Sequence, residues 1–381
     1  MLVSTNRSFS SLTTFHIGGP AAFFVEAKSL ADITEAVAFA RDKSLPILVL
    51  GGGSNMLVSD RGWEGLALKV AVRGREILED SADSVLIKIG AGEVLDEVIA
   101  WAVENTWSGM ENLSFVPGDV GGLVVQNVNA YGQDASKVIA SVEAYDTQTN
   151  AEIRMTNDEC EFGYRRSIFN TTQRDRYVIT SVTLRLKKRF EPVIVYPDAQ
   201  RYFEGRDPAT VSMQEMREGI IAIRKAKGQD PQEYWSAGSF FKNILLTDEE
   251  FDALLVRVRS DFGDERAGQL LVLKDRFARI EQLYTSVTGM VDTAKAGKIK
   301  IPVGFILDGL LQLKNTRVGD AAISEKQVIN ILNLGKATAH DVMSLFQKTR
   351  QAVYAKTGVA ITNEPELIGF TEEELLGYFK L

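Results

Sequence analysis

Apolar residues recur along this chain with two different periods. Over residues 29–43, Leu30, Ile33, Val37 and Ala40 fall on one helical face, and Ser29 and Asp32 have capping-box spacing, so a helix is predicted there. The run LPILVL at 45–50 reads as a buried strand, and SVLIKIGAG as a second strand before a helix at about 93–105 that buries Leu95, Val98, Ile99, Ala102 and Val103. Further along, YVITSVTLRLKKRF alternates apolar and polar residues, as a strand with one covered face does. The aromatic, turn-rich stretch FEPVIVYPDAQRYFEGRDP follows, and the main boundary is placed near residue 190. Beyond it, helices are predicted at 213–227, 248–261, 268–296 and 338–357, the last opening on Thr338 with Asp341 at capping-box spacing and ending before Gly358. QVINILN and GVAIT read as strands around that last helix. Positions 273, 277, 280, 283, 287 and 291 are apolar at helical spacing, an amphipathic helix expected to pack on the core. Both halves are therefore α+β.

Composition narrows the function classes. With 381 residues, 45% of them hydrophobic, more than one core can be built. Lys and Arg total 43 against 51 Asp and Glu, a net charge of −8, which argues against coating a nucleic-acid backbone. One cysteine, Cys160, and two histidines, His16 and His340, leave no disulfide framework and no Cys/His zinc site, so no metal is expected. No apolar run approaches the roughly 20 residues that span a bilayer, so a cytoplasmic protein with no membrane or nucleic-acid partner is expected.

Five loops are richer in chemistry than turns require. GGGSN at 51–55 directly follows the strand LPILVL, and consecutive glycines let backbone N–H groups approach an anion. The dinucleotide fingerprint G-x-G-x-x-G fails, because Met56 stands where its third glycine would be. FVPGDVGGLVVQNVNAYG at 115–132 packs Pro117, Gly118, Gly121 and Gly122 together, and two such loops could wrap the pyrophosphate of a dinucleotide with backbone donors. EFGYRRSIF at 161–169 sets Tyr164, Arg165 and Arg166 among apolar residues, and a guanidinium there suits either a bound carboxylate or phosphate or an acidic neighbour. AGSFFKN at 237–243 places Ser239 and Asn243 beside Lys242, but the G-x-S-x-G elbow of a serine hydrolase is absent. NEPELIGF at 363–370 carries Glu364 and Glu366, expected to follow a strand and to project to the same side.

These strings, taken together with TTFHIGGPA near the start and KGQDP at 227–231, resemble the UDP-N-acetylenolpyruvoylglucosamine reductases, flavoenzymes of bacterial cell-wall precursor synthesis. The resemblance runs collinearly over most of the chain. It implies an α+β fold: an FAD-binding domain of the vanillyl-alcohol-oxidase type over 1–190, with two lobes at about 1–75 and 76–190, and a substrate-binding domain over 191–381 with a helical insertion at about 262–300. It gives non-covalent FAD a cradle of Gly51, Gly52, Gly53, Ser54 and Asn55, then Pro117, Gly118, Gly121, Gly122, Asn127, Ala130 and Tyr131. His16 is then a neighbouring loop residue and not a flavin anchor. Where family members have a small residue and proline this chain has Leu123 and Val124, and it has Asn129 in place of glycine, a mild change because asparagine tolerates a left-handed backbone.

The implied reaction reduces an enolpyruvyl ether to a lactyl ether, with hydride passing from NADPH to FAD and on to C3 of UDP-N-acetylglucosamine enolpyruvate. Arg165 would stabilise the enediolate that hydride arrival creates, Ser239 would protonate C2, and Glu366 would act beside the carboxylate in protonated or proton-shuttling form. Tyr164, Tyr196, Lys227, Asn243 and Gln327 fall on positions given to substrate and NADPH. A monomer is expected. The rival readings are an FAD-dependent oxidase or dehydrogenase of the same fold acting on another alcohol or hydroxy acid, and a UDP-sugar binder without turnover. The first leaves Arg165, Ser239 and Glu366 without a purpose.

Overall fold

A computed structural model describes residues 1–288 and 297–381, with side chains described outside 280–296. The chain divides into two compact units. The first comprises Met1–Arg7, Ala21–Gly53 and Trp63–Ala226; the second comprises Ser8–Pro20, Ser54–Gly62 and Lys227–Leu381. Residues 191–226, beyond the boundary expected near residue 190, thus group with the first unit. The physical reason is a small core in which Phe203, Val211, Met216, Ile220 and Ile223 bury themselves with Tyr131.

The first unit holds two sheets. One has the order Val3–Ser8, Pro20–Ala27, Trp63–Val70, Ile47–Leu50, and its last three strands are parallel. The helix Leu30–Asp42 covers it, and the Ser29 hydroxyl accepts the Asp32 N–H at 3.2 Å, as the spacing predicts. Ile47–Leu50 lies at the sheet edge, so only Leu50 is fully buried in a strand expected to be covered throughout. The second sheet is antiparallel, in the order Ala151–Thr156, Ile139–Asp146, Tyr177–Lys187, Ser84–Gly90, Arg75–Asp80. The helix Leu95–Glu104 buries the five predicted residues. Ile33 and Leu66 of one lobe share a core with Ile87 and Val182 of the other. Tyr177–Lys187 does not keep one wet face: as the central strand it is buried from Val178 through Leu184, and its polar residues are satisfied there. Thr180 donates to the Glu143 carbonyl at 3.1 Å, and Ser181 to the Glu143 carboxylate at 2.6 Å.

In the second unit Phe240, Phe241, Phe251 and Phe346 pack with Leu57 and Ile306. The helix Ala339–Thr357 opens on the predicted Thr338/Asp341 capping box and ends on Gly358 at φ +72°. Its first two N–H groups donate to the Asp60 carboxylate at 2.8 and 3.0 Å. The two helices expected at 248–261 and 268–296 form one helical stretch, Asp248–Thr288, broken in backbone geometry at Gly263 (φ 87°, ψ 171°). Leu273 and Phe277 are half-buried there, whereas positions 280, 283, 287 and 291 lie outside the described side chains. QVINILN contributes only Ile331–Asn333, paired with Ala321–Ile323, and GVAIT forms no strand. The strand is instead Glu366–Ile368, which runs parallel to Met56–Val58, so Glu366 opens it and Glu364 precedes it. No described helix is long and apolar enough to cross a membrane.

Candidate active site

In the first unit the two glycine loops touch. Glycine is required at Gly52, where a Cβ would stand 2.6 Å from the Gly118 Cα. Gly53 and Gly118 have φ of +63° and +119°. A Cβ on Gly122 would meet nothing within 4 Å, and one on Gly51 only the Asp119 carboxylate at 4.0 Å. The result is a surface bare of side chains where backbone donors can approach an anion, which is what a pyrophosphate cradle needs. Leu123 and Val124 lie in the short helix Val120–Val125 and are buried, so apolar packing fixes the course of this loop without the proline. Asn129 is not in the left-handed region. That geometry falls instead on Asn127 (φ 39°) and Tyr131 (φ 47°), and the Asn129 amide donates to Asp134 at 3.2 Å. Asn127 donates to the Gly163 carbonyl at 2.8 Å, which brings the 161–169 loop beside this one.

Arg165 is half-buried in that loop with φ 54°, an uncommon backbone for a non-glycine residue, and its guanidinium carbon lies 5.8 Å from the Tyr164 ring centre. Asn170 steadies it by donating to the Arg165 carbonyl at 3.1 Å. Arg166, its neighbour in the cluster, is exposed and faces Glu161 at 3.9 Å, the acidic partner that the sequence leaves open. Arg224 belongs with Lys225 and Lys227 to a basic cluster that the sequence places about ten residues before AGSFFKN, a pattern suited to a small, multiply anionic ligand. The Arg224 Nε donates to the Phe115 carbonyl at 3.1 Å, its side chain bonds Tyr131, and Arg165 is near enough to repel it. Burial first, then Arg165, push this guanidinium below its ordinary value, against the pull of Tyr131 and Asp96. Tyr196 caps the helix Pro197–Tyr202 and meets the Tyr131 ring at 6.1 Å between centres. The Asn112 amide joins the same two segments, donating to the carbonyls of Tyr131 at 2.8 Å and Val193 at 2.9 Å.

In the second unit, backbone pairing brings the serine and glutamate segments together. Phe240 and Phe241 donate to the Ile329 carbonyl at 2.7 and 3.2 Å. On the other side Glu364 donates to the Phe240 carbonyl at 2.8 Å, Lys242 donates to Thr362 at 3.0 Å, and Phe241 bridges Asn363. Ser239 thus sits at the head of a segment held between residues 327–330 and 362–364, with Glu366 two residues beyond Glu364. Gly238 beside it has φ +73°, and a Cβ there would meet nothing within 4 Å. Within the second unit Glu366 donates its N–H to the Asn55 carbonyl at 2.9 Å, just ahead of the parallel pairing with Met56. Gln327 is half-buried, its N–H bonded to the Ser324 hydroxyl at 3.1 Å. Lys227 is half-buried at the start of the KGQDP turn. Asn243 is exposed and accepts the Val303 N–H at 3.2 Å, and His16 stacks on Trp235 at 4.3 Å.

A family model described as "FAD binding domain" matches residues 21–153, and one described as "UDP-N-acetylenolpyruvoylglucosamine reductase, C-terminal domain" matches 230–368. The chain is 33% identical over 364 residues to the UDP-N-acetylenolpyruvoylglucosamine reductase of Streptomyces coelicolor, covering 94% of this chain and 88% of that protein. It belongs to the UDP-N-acetylenolpyruvoylglucosamine reductase family. The same-named protein of Pseudomonas aeruginosa is 33% identical, with 94% and 97% of the two chains covered. The crystal structure of the reductase from Thermus caldophilus shares the fold, with TM-score 0.62, 23% identity and coverage of 97% and 99%.

Lys69 and Asp119, which the sequence pattern does not single out, lie beside the glycine loops. Lys69 donates to the Gly51 carbonyl and to the Asp119 carboxylate, each at 2.7 Å. Lys69 occupies an ordinary place in a strand, and Asp119 is hidden among glycines, so neither carries a signal in the pattern. Arg224 ends an amphipathic helix, where a cation is expected for helix-dipole reasons alone.

Proposed function

We propose that this protein is an NADPH-dependent flavoenzyme that reduces UDP-N-acetylglucosamine enolpyruvate to UDP-N-acetylmuramate in peptidoglycan precursor synthesis. Family membership supports the overall activity. The observation that carries the chemical reading is the backbone pairing of Phe240–Lys242, which follow Ser239 directly, with Thr362–Glu364, two residues before Glu366. The glycine loops at 51–53 and 117–122 fit FAD, because at Gly51, Gly52 and Gly122 no side chain stands between the backbone and an approaching pyrophosphate. When bound, FAD supplies the hydride, which it takes from NADPH.

The remaining work belongs to the chain. Electron density that reaches the substrate carbon beside its carboxylate spreads into an enediolate, and Arg165 stabilises that charge with its forked donor. Ser239 gives its hydroxyl proton to C2; a hydroxyl is a weak acid, but the enediolate is a strong base. Glu366 stays beside the substrate carboxylate as a protonated or proton-shuttling group, since two bare carboxylates would repel. Tyr164, Tyr196, Lys227, Asn243 and Gln327 contact the UDP-sugar and NADPH, which enter in turn and give ping-pong kinetics.

Ser239→Ala tests this assignment. NADPH should still bleach the flavin of the variant, while added enolpyruvyl sugar should no longer restore its colour. Reoxidation by substrate at the unaltered rate would remove Ser239 from the proton-donor role.

A further inference from the structure

The two glycine loops are held by different lobes of the first unit. Gly51–Gly53 leave the edge strand Ile47–Leu50, whose neighbour Trp63–Val70 carries Lys69 opposite Leu50. Pro117–Gly122 is fixed to the other lobe by backbone, with Val120 donating to Glu93 at 2.9 Å and Gly121 to Ala91 at 2.8 Å. Lys69 reaches from the first sheet to both loops, with 2.7 Å to the Gly51 carbonyl and 2.7 Å to the Asp119 carboxylate. The Asp119 side chain is 9% exposed and that of Lys69 25%. A carboxylate is an unsuitable neighbour for an anion cradle, because its charge opposes the ligand it flanks.

We propose that Lys69 is a positioning residue of the FAD site: by bonding Gly51 and Asp119 together it sets the spacing of the two loops and cancels a carboxylate that would otherwise oppose the cofactor's pyrophosphate. This rests on the reading of the loops as the FAD cradle. Burial is the largest influence on Asp119 and pushes its carboxyl up, while Lys69 and then Arg73, the charged groups acting on it, pull it back. Removal of Lys69 leaves a half-relieved acid whose charge depends on pH.

The test uses purified holoenzyme stripped of FAD and titrated with FAD by flavin fluorescence, at about pH 6 and about pH 8.5. Lys69→Met should weaken binding about tenfold or more at the higher pH, and at least about threefold less severely at the lower, where a larger share of Asp119 carries a proton. Lys69→Arg should stay within about threefold of wild type, and Lys69→Met with Asp119→Asn should recover at least about threefold over Lys69→Met. Asp119→Asn alone keeps an oxygen for Lys69 and should bind within about threefold of wild type at both pH values, so a loss of about tenfold there overturns the charge argument even if Lys69→Met does not fold. Thermal melting of each apoprotein separates lost affinity from lost stability. If wild type takes up no FAD, the cradle reading itself fails. If wild type binds FAD and Lys69→Met binds it within about threefold at both pH values, the inference about Lys69 fails.

Discussion

Removing the Arg217 guanidinium should destabilise the first unit and flatten its response to acid. Arg217, on the helix Met213–Ala226, grips Asp96 in the first turn of Leu95–Glu104 through two parallel bonds of 2.6 and 2.9 Å. The same carboxylate accepts the Phe115 N–H at 2.6 Å, just ahead of the second glycine loop. Burial acts to raise the Asp96 carboxyl, but Arg217 and the Phe115 N–H outweigh it and hold it below the ordinary value. Breaking a buried ion pair by removing one partner costs about 3–5 kcal/mol. With Asp96 28% and Arg217 13% exposed, solvent relieves part of this, and Arg217→Met should cost about 2–3 kcal/mol. At about 2–4 °C per kcal/mol for a unit of this size, the melting temperature should fall by about 5–10 °C. The sign with pH follows from linkage. A carboxyl lowered in the folded state stabilises fully above its unfolded value of about 3.9, and that contribution disappears as pH falls through the folded value. Wild type should therefore lose stability more steeply below about pH 4 than Arg217→Met. The assay is urea unfolding across pH, with Asp96→Asn and the double variant completing a cycle. A coupling below about 0.5 kcal/mol, or parallel acid slopes, would refute the reasoning.

Two further outcomes are expected. Gly52→Ala places a Cβ 2.6 Å from the Gly118 backbone, so the loops must part, and FAD affinity should fall by about tenfold while far-UV circular dichroism is unchanged. Gly268→Ala adds a Cβ that meets nothing within 4 Å in the second part of Asp248–Thr288, and it should raise stability by about 0.5–1 kcal/mol in urea titrations; a loss would show that the helix needs glycine there.

Local signals in the sequence were sufficient where an element is defined by its own residues. Ser29 with Asp32 and Thr338 with Asp341 mark two helix starts, and the five apolar positions of Leu95–Glu104 are the five it buries. The pattern failed where a distant partner decides. Tyr177–Lys187 reads as half-exposed because Thr180, Ser181 and Thr183 are polar, yet strands on both sides and bonds to Glu143 bury them. The apolar pattern puts the strand near Glu366 several residues early, because its partner, Met56–Val58, lies about three hundred residues away. The chemistry-bearing loops were legible because glycine, proline and arginine cluster in them. Lys69 and Asp119 were not, since an ion pair between residues fifty positions apart leaves no trace in periodicity.

The interleaving of the two units bears on how the protein can be made. A ribosome releases Met56–Val58 early, but the neighbour that completes that ladder does not exist until residue 368 has been joined. Throughout that interval the early strand presents unsatisfied backbone along one side, a template for wrong pairing with other nascent chains. A gene fragment cut at residue 227 would inherit the complementary defect: it would carry Glu366–Ile368 without its mate, and without Phe15, which packs in the same core as Phe240. The second unit is a body in space assembled from three separate stretches of chain, so no single cut releases it whole.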